Sequence, residues 1–143
     1  MNKQETVQTI SVSNSAVDSR LLAAFLQDFF QINGIDENLY GDIRLAMEET
    51  FINIVNHAHE EQDKHPVSIE LKHAEDCLTV RFIDSGIAFN PLQDCTNCIE
   101  NNQHEDGGMG IHLIRSLTDS QEYQRIDGRN IFTLIKYYTK EKP

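Results

Sequence analysis

The chain has 143 residues, of which 39% are apolar, with seven Phe and four Tyr; it can bury one core and leaves no room for a second substantial domain, so 1–143 is expected to be a single domain. Twelve Lys and Arg against 23 Asp and Glu give a formal charge of −11, so a polynucleotide would meet net repulsion instead of a basic stripe. No apolar run approaches the roughly 20 residues that span a bilayer, and the start "MNKQETVQTI" lacks a signal-peptide apolar region; the expectation is a soluble cytoplasmic protein with neither nucleic acid nor membrane as a direct partner.

Residues 5–12, "ETVQTISV", alternate as a strand does. A helix over 15–33 follows. Val17, Leu21, Phe25 and Phe29 recur at four-residue steps, with Leu22, Leu26 and Phe30 beside them. Ser15 and Asp18 resemble a capping box, and Gly34 is placed to stop the helix. A second helix is expected from Asp36 to about His59, through Leu39, Ile43, Met47 and Ile54. Val67, Ile69 and Leu71 then alternate after Pro66, a turn falls at 74–76, and Leu78, Val80 and Phe82 alternate again, which makes an antiparallel hairpin. Residues 84–110 are rich in Gly, Asn, Asp and Gln and read as loop. "GIHLIRSL" starts a third helix over 110–118, and "EYQRIDGRNIFTLIKYY" closes the chain as a hairpin turning at Asp127-Gly128. The order β, α, α, β, β, loop, α, β, β predicts an α+β two-layer sandwich, with helices on one face of a mainly antiparallel sheet. Cys77, Cys95 and Cys98 are odd in number and make no disulfide framework; "CTNC" has no second ligand pair, so free thiols in a loop are expected there instead of zinc.

Three stretches carry polar chemistry. In "EETFINIVNHAH", residues 48–59, Glu49 and Asn53 lie one turn apart, about 40° around a helix, and project from one stripe. An amide oxygen is a hard neutral ligand suited to Mg²⁺, and a carboxylate one turn away can take a proton from a hydroxyl held beside a phosphate. The same spacing also occurs on solvated helix faces. "DSGIAFNP", residues 84–91, follows an apolar strand. Asp84 there can accept from an exocyclic amino group, and Gly86 lets a flat ring approach the backbone, although these are also turn residues. "GGMGIHLIRSL", residues 107–117, runs glycines into a helix, where free amides and the helix dipole make an anion site or, equally, a hinge. It is not a Walker A loop, having no GK[ST].

In this order the three stretches resemble the N box and the two glycine boxes of the GHKL, or Bergerat-fold, ATP-binding superfamily. Within it the chain is most similar to the bacterial anti-sigma factor serine/threonine kinases, which share the ending "IRSLTDSQEYQRIDGRNIFTLIKY" in kind. The resemblance runs from about Leu45 to Tyr137. It implies a Bergerat, histidine kinase-like fold with a mainly antiparallel mixed sheet and an ATP lid over 91–107. It also implies ATP and Mg²⁺ as cofactors, Glu49 as general base, Asn53 as metal ligand, and Asp84 as the adenine contact. Gly86, Gly107, Gly108, Met109, Gly110 and Ile111 would shape the nucleotide pocket, with Thr133 near the base. A sigma factor and an anti-sigma antagonist protein are the implied partners, and a homodimer the implied assembly. Glu48 is the competing base, but it lies farther around the helix from Asn53 than Glu49 does. Where the family carries a lid Arg this chain has Asp106, and no Lys or Arg occurs between Arg81 and Arg115. His104 is the candidate substitute cation, and the same residues also suit a nucleotide-gated binding module with little phosphotransfer.

Overall fold

Strand pleating decides which side of the sheet carries the core. The computed structural model describes residues 5–13, 19–57, 66–92 and 109–138. In chain order these are β1 (Glu5–Ser13), α1 (Ser19–Asn33), a 3₁₀ turn (Glu37–Leu39), α2 (Tyr40–His57), β2 (Pro66–Ala74), β3 (Cys77–Asp84), α3 (Met109–Leu117), β4 (Ser120–Ile126) and β5 (Arg129–Tyr137). The strands form one sheet in the order β1-β2-β3-β5-β4. The expected α+β sandwich is found, and every pairing among the described residues is antiparallel, where a mainly antiparallel mixed sheet was expected. Both hairpins bring neighbours in sequence together with opposite directions, and β4 reaches the far edge only through the α3 crossover.

Register sorts the side chains. Ile10, Ile69, Phe82, Phe132 and Tyr123 form one cross-sheet row, and Val12, Val67, Asp84, Asn130 and Arg125 form the next. This face meets Leu22, Leu26, Phe29 and Phe30 of α1 and Ile43, Met47 and Phe51 of α2, all buried in one core. The opposite face carries the ion pairs Arg81–Glu70, at 3.1 Å, and Lys72–Glu5, at 3.4 Å. A slip of one residue would exchange the two faces, so the apolar phase pins the register.

Local chemistry sets the element ends. Gly34, at φ 64°, closes α1, and the Ile35 N–H donates back to the Phe30 carbonyl at 3.0 Å. The helix expected from Asp36 begins instead with the 3₁₀ turn, where the Asp36 carboxylate accepts from the Asn38 N–H at 3.0 Å, before α2 proper starts at Tyr40. Asp127 and Gly128 both have positive φ, 53° and 77°, as a two-residue hairpin turn requires. At the other end of β5, burial first, then the Asp76 carboxylate and the Cys77 thiol, push the Tyr138 phenol up to about 12. No helix among the described residues is long and apolar enough to cross a membrane. Ser15, Asp18, Cys95, Cys98, His104, Asp106 and most of the lid segment lie outside the described residues.

Phe29 has no exposed surface, so Phe29→Ala should cost about 3–5 kcal/mol through lost burial and the cavity left behind. Urea unfolding followed by circular dichroism checks this; a loss under 1 kcal/mol would mean that α1 does not seal the core.

Candidate functional site

The core phase of α2 includes two polar positions. Thr50 is buried and returns its hydroxyl to the Ala46 carbonyl at 2.8 Å, so the helix itself satisfies it. Asn53, 3% exposed, is not satisfied in this way: its Nδ2 has no hydrogen-bond partner. Leaving such a donor buried and unpaired costs about 1–3 kcal/mol, which a stability-optimised helix would avoid.

α3 crosses α2 at this point. A Cβ built on Gly110 would stand 3.0 Å from Glu49 Oε1, 3.6 Å from Asn53 Nδ2 and 3.8 Å from Asn53 Oδ1. A side chain here would crowd the Glu49 carboxylate, which would have to shift by a few tenths of an ångström, while its contacts with Asn53 would be ordinary ones. The carboxylate and the amide therefore sit beside the first turn of a helix, where unpaired N–H groups and the dipole favour anions. Glu48 is engaged elsewhere, in an ion pair of 2.7 Å with Arg44, which leaves Glu49 as the carboxylate at the crossing. An open cavity of about 430 Å³ is lined by Glu49 together with Gly110, His112, Leu113 and Ser116. Among the described residues no three His, Cys, Asp or Glu side chains gather as a metal cage. A cation at Asn53 would thus draw its remaining ligands from water and from its own partner, as Mg²⁺ does with phosphates.

A second polar cluster closes the end of the sheet. Asp84, the last residue of β3, is 3% exposed, and its Oδ1 accepts from the Gly86 N–H at 2.7 Å and from Asn130 Nδ2 at 3.1 Å. Asn130 also donates to the Ile87 carbonyl at 2.8 Å, while its Oδ1 accepts from the Phe89 N–H at 3.2 Å and from the Tyr123 hydroxyl. Arg125 donates to the Gly86 carbonyl at 2.8 Å. Strands β3, β4 and β5 together hold the loop 85–90 against the sheet.

Glu49, Asn53 and Gly110 meet at the helix crossing, and Asp84 and Gly86 meet at the sheet end. Two of the residues expected at the pocket are placed differently. Ile111 is 2% exposed and belongs to the core. Thr133 pairs across the sheet with Arg81 and Glu122, and the pleat turns it to the face opposite Asp84. Gly107, Gly108 and the Met109 side chain lie outside the described residues. Asn130, Tyr123 and Arg125 were not among the residues expected at the site. The available signal was phase: counting from the Asp127-Gly128 turn, Asn130 falls in step with Phe132 and Leu134, a polar residue where the pattern calls for an apolar one.

Known proteins resemble this chain in sequence and in fold. The family described as histidine kinase-like ATPase domain matches residues 12–136. The serine-protein kinase RsbW of Bacillus subtilis is 30% identical over 107 residues, covering 71% of this chain and 66% of that protein. The anti-sigma F factor of Clostridium beijerinckii is 25% identical over 134 residues, covering 92% of this chain and 91% of its own. The serine/threonine-protein kinase BtrW of Bordetella bronchiseptica is 27% identical, covering 69% and 71%. The chain thus spans just under two thirds of the RsbW relatives' length. Among solved structures, the RsbU and RsbW domains of a Mycobacterium tuberculosis protein superpose with a TM-score of 0.65 at 17% identity, covering 92% of this chain and 32% of that one. That likeness shows the fold.

Because the Asn53 amide is buried without a partner, Asn53→Leu should stabilise the ligand-free protein, by about 1 kcal/mol. A urea midpoint that falls instead of rising would show that the amide already contributes to folding.

Proposed function

The chain belongs to the histidine kinase-like ATPase domain family, and from that premise we propose that it binds ATP with Mg²⁺ and phosphorylates a serine or threonine of a partner protein. The likeness to anti-sigma factor kinases is borne out by the names its relatives carry. The observation that supports the activity is the meeting of Glu49, Asn53 and Gly110 at one helix crossing. An unpartnered buried N–H donor beside a glycine that brings the start of α3 against Glu49 fits a phosphate at this crossing better than a packed core, with the Asn53 amide oxygen left for the cation the phosphate carries.

Each residue has a separate task in this proposal. Asp84 accepts a hydrogen bond from the exocyclic amino group of adenine, and the loop from Gly86 to Phe89 supports the ring. The first turn of α3 directs its amides at the phosphates. Asn53 would hold Mg²⁺ through its amide oxygen, and the ion would supply positive charge to the phosphates. Glu49 faces the open cavity, where an acceptor hydroxyl can reach it. Its carboxylate takes the hydroxyl proton as the oxygen bonds to the γ-phosphorus, and the bond to the β,γ-bridging oxygen breaks to release ADP. By family likeness the acceptor is an anti-sigma antagonist protein and the second partner a sigma factor, engaged by a homodimer in the cytoplasm. The lack of Lys and Arg between Arg81 and Arg115 supports a second reading, a nucleotide-gated regulator with little transfer.

Incubation with labelled ATP, Mg²⁺ and candidate antagonist proteins, scored for protein-bound phosphate, separates the two. Transfer by the wild-type protein is the expected result, and ATP binding without transfer would establish the gated regulator in its place. Glu49→Gln should keep ATP affinity and lower the transfer rate by about 10²–10⁴-fold; undiminished transfer would mean that Glu49 is not the base. Asp84→Asn should weaken ATP binding about tenfold with the melting temperature little changed, and unaltered affinity in calorimetry would place adenine elsewhere.

A further inference from the structure

Asn130 is 4% exposed and uses all four of its hydrogen-bonding positions. Its two amide hydrogens go to Asp84 Oδ1, at 3.1 Å, and to the Ile87 carbonyl, at 2.8 Å. Its oxygen receives the Phe89 N–H, at 3.2 Å, and the Tyr123 hydroxyl. One side chain on β5 therefore joins the end of β3, two backbone groups of the following loop, and a side chain of β4. The Gly86 N–H, at 2.7 Å, is the second donor on the same Asp84 oxygen, so two donors fix the plane of the carboxylate.

We propose that Asn130, braced by Tyr123, is a positioning residue for purine recognition: it orients Asp84 and the 86–89 loop as one unit and so sets selectivity for a 6-amino purine. The inference rests on the assignment of Asp84 to adenine above. A hydrogen bond from a ligand amino group depends steeply on direction, and a carboxylate free to rotate would average that direction away. Register supplies the placement, since Asp84 and Asn130 are cross-strand partners on the core face. Tyr123 lies one row further in, opposite Phe132, so its ring packs on the sheet while its hydroxyl reaches Asn130. The hydrogen bonds of Asn130 run to Asp84, Ile87, Phe89 and Tyr123 and not to Glu49 or Asn53, so its effect falls on base selectivity and not on phosphate binding.

The experiment compares ATP with purine riboside 5′-triphosphate, which lacks the 6-amino group, by calorimetry in the presence of Mg²⁺. The wild-type protein should prefer ATP. Asn130→Leu should lose about tenfold in ATP affinity and leave the analogue within about twofold, so that the preference collapses. Tyr123→Phe removes one hydroxyl while keeping the ring, and should shift the preference the same way by about threefold. If Asn130→Leu fails to fold, Tyr123→Phe decides alone. Equal weakening of both nucleotides would reduce Asn130 to a structural role and overturn the proposal, as would a preference left intact in the variants. A wild-type protein that binds both nucleotides equally would instead overturn the adenine assignment of Asp84, and this proposal with it.

Discussion

The close approach of α3 to α2 at Gly110 is the constraint on which the site depends. Helices normally stand 8–10 Å apart because side chains fill the space between them. Here the missing Cβ brings a helix start beside Glu49 and Asn53, where a methyl group would press on the Glu49 carboxylate. The backbone of α3 then contributes its unpaired N–H groups to the same space as a carboxylate and an amide. Ile111 and Ile114, both buried, anchor the helix in the core immediately behind. Apolar burial thus supplies the stability that holds an otherwise unfavourable polar crossing together.

The two polar clusters solve burial in opposite ways. At the sheet end every hydrogen-bonding position of Asn130 is met, and the network ties three strands to one loop. A fully satisfied buried network is rigid, because any departure leaves donors or acceptors unpaired in a low-dielectric surrounding. At the helix crossing the Asn53 donor is left unmet. Such a group raises the free energy of the protein alone and lowers it when a partner arrives. One end of the site is therefore built to hold a shape, and the other to accept a charge.

Charge shows the same division. With 12 cationic residues against 23 anionic ones, the chain does not attract phosphate through its overall field. Attraction has to come from local dipoles: helix N-terminal amides, and a hard cation held by a neutral oxygen. The ion pair between Arg44 and Glu48 lies on the partly exposed side of α2 and is worth little for stability. It nevertheless engages a second carboxylate and leaves the crossing to Glu49.

Period and turn chemistry were legible in the sequence by itself: the strands, the three helices, both hairpins, the Asp127-Gly128 turn and the polar stripe of Glu49 and Asn53 all follow from local spacing and from residues with restricted backbones. The family resemblance put Thr133 near the base, and local patterns left Asn130 unnoticed, because choosing between neighbours on β5 requires knowing which pleat faces Asp84 across the sheet. Ile111 was grouped with the glycines beside it, although its side chain turns into the core. Tertiary structure alone decided these matters. Cross-strand register and helix crossing distance arise from contacts between residues far apart in the chain, such as Glu5 with Ala74 and Glu49 with Gly110, and no local pattern encodes how two buried surfaces will meet.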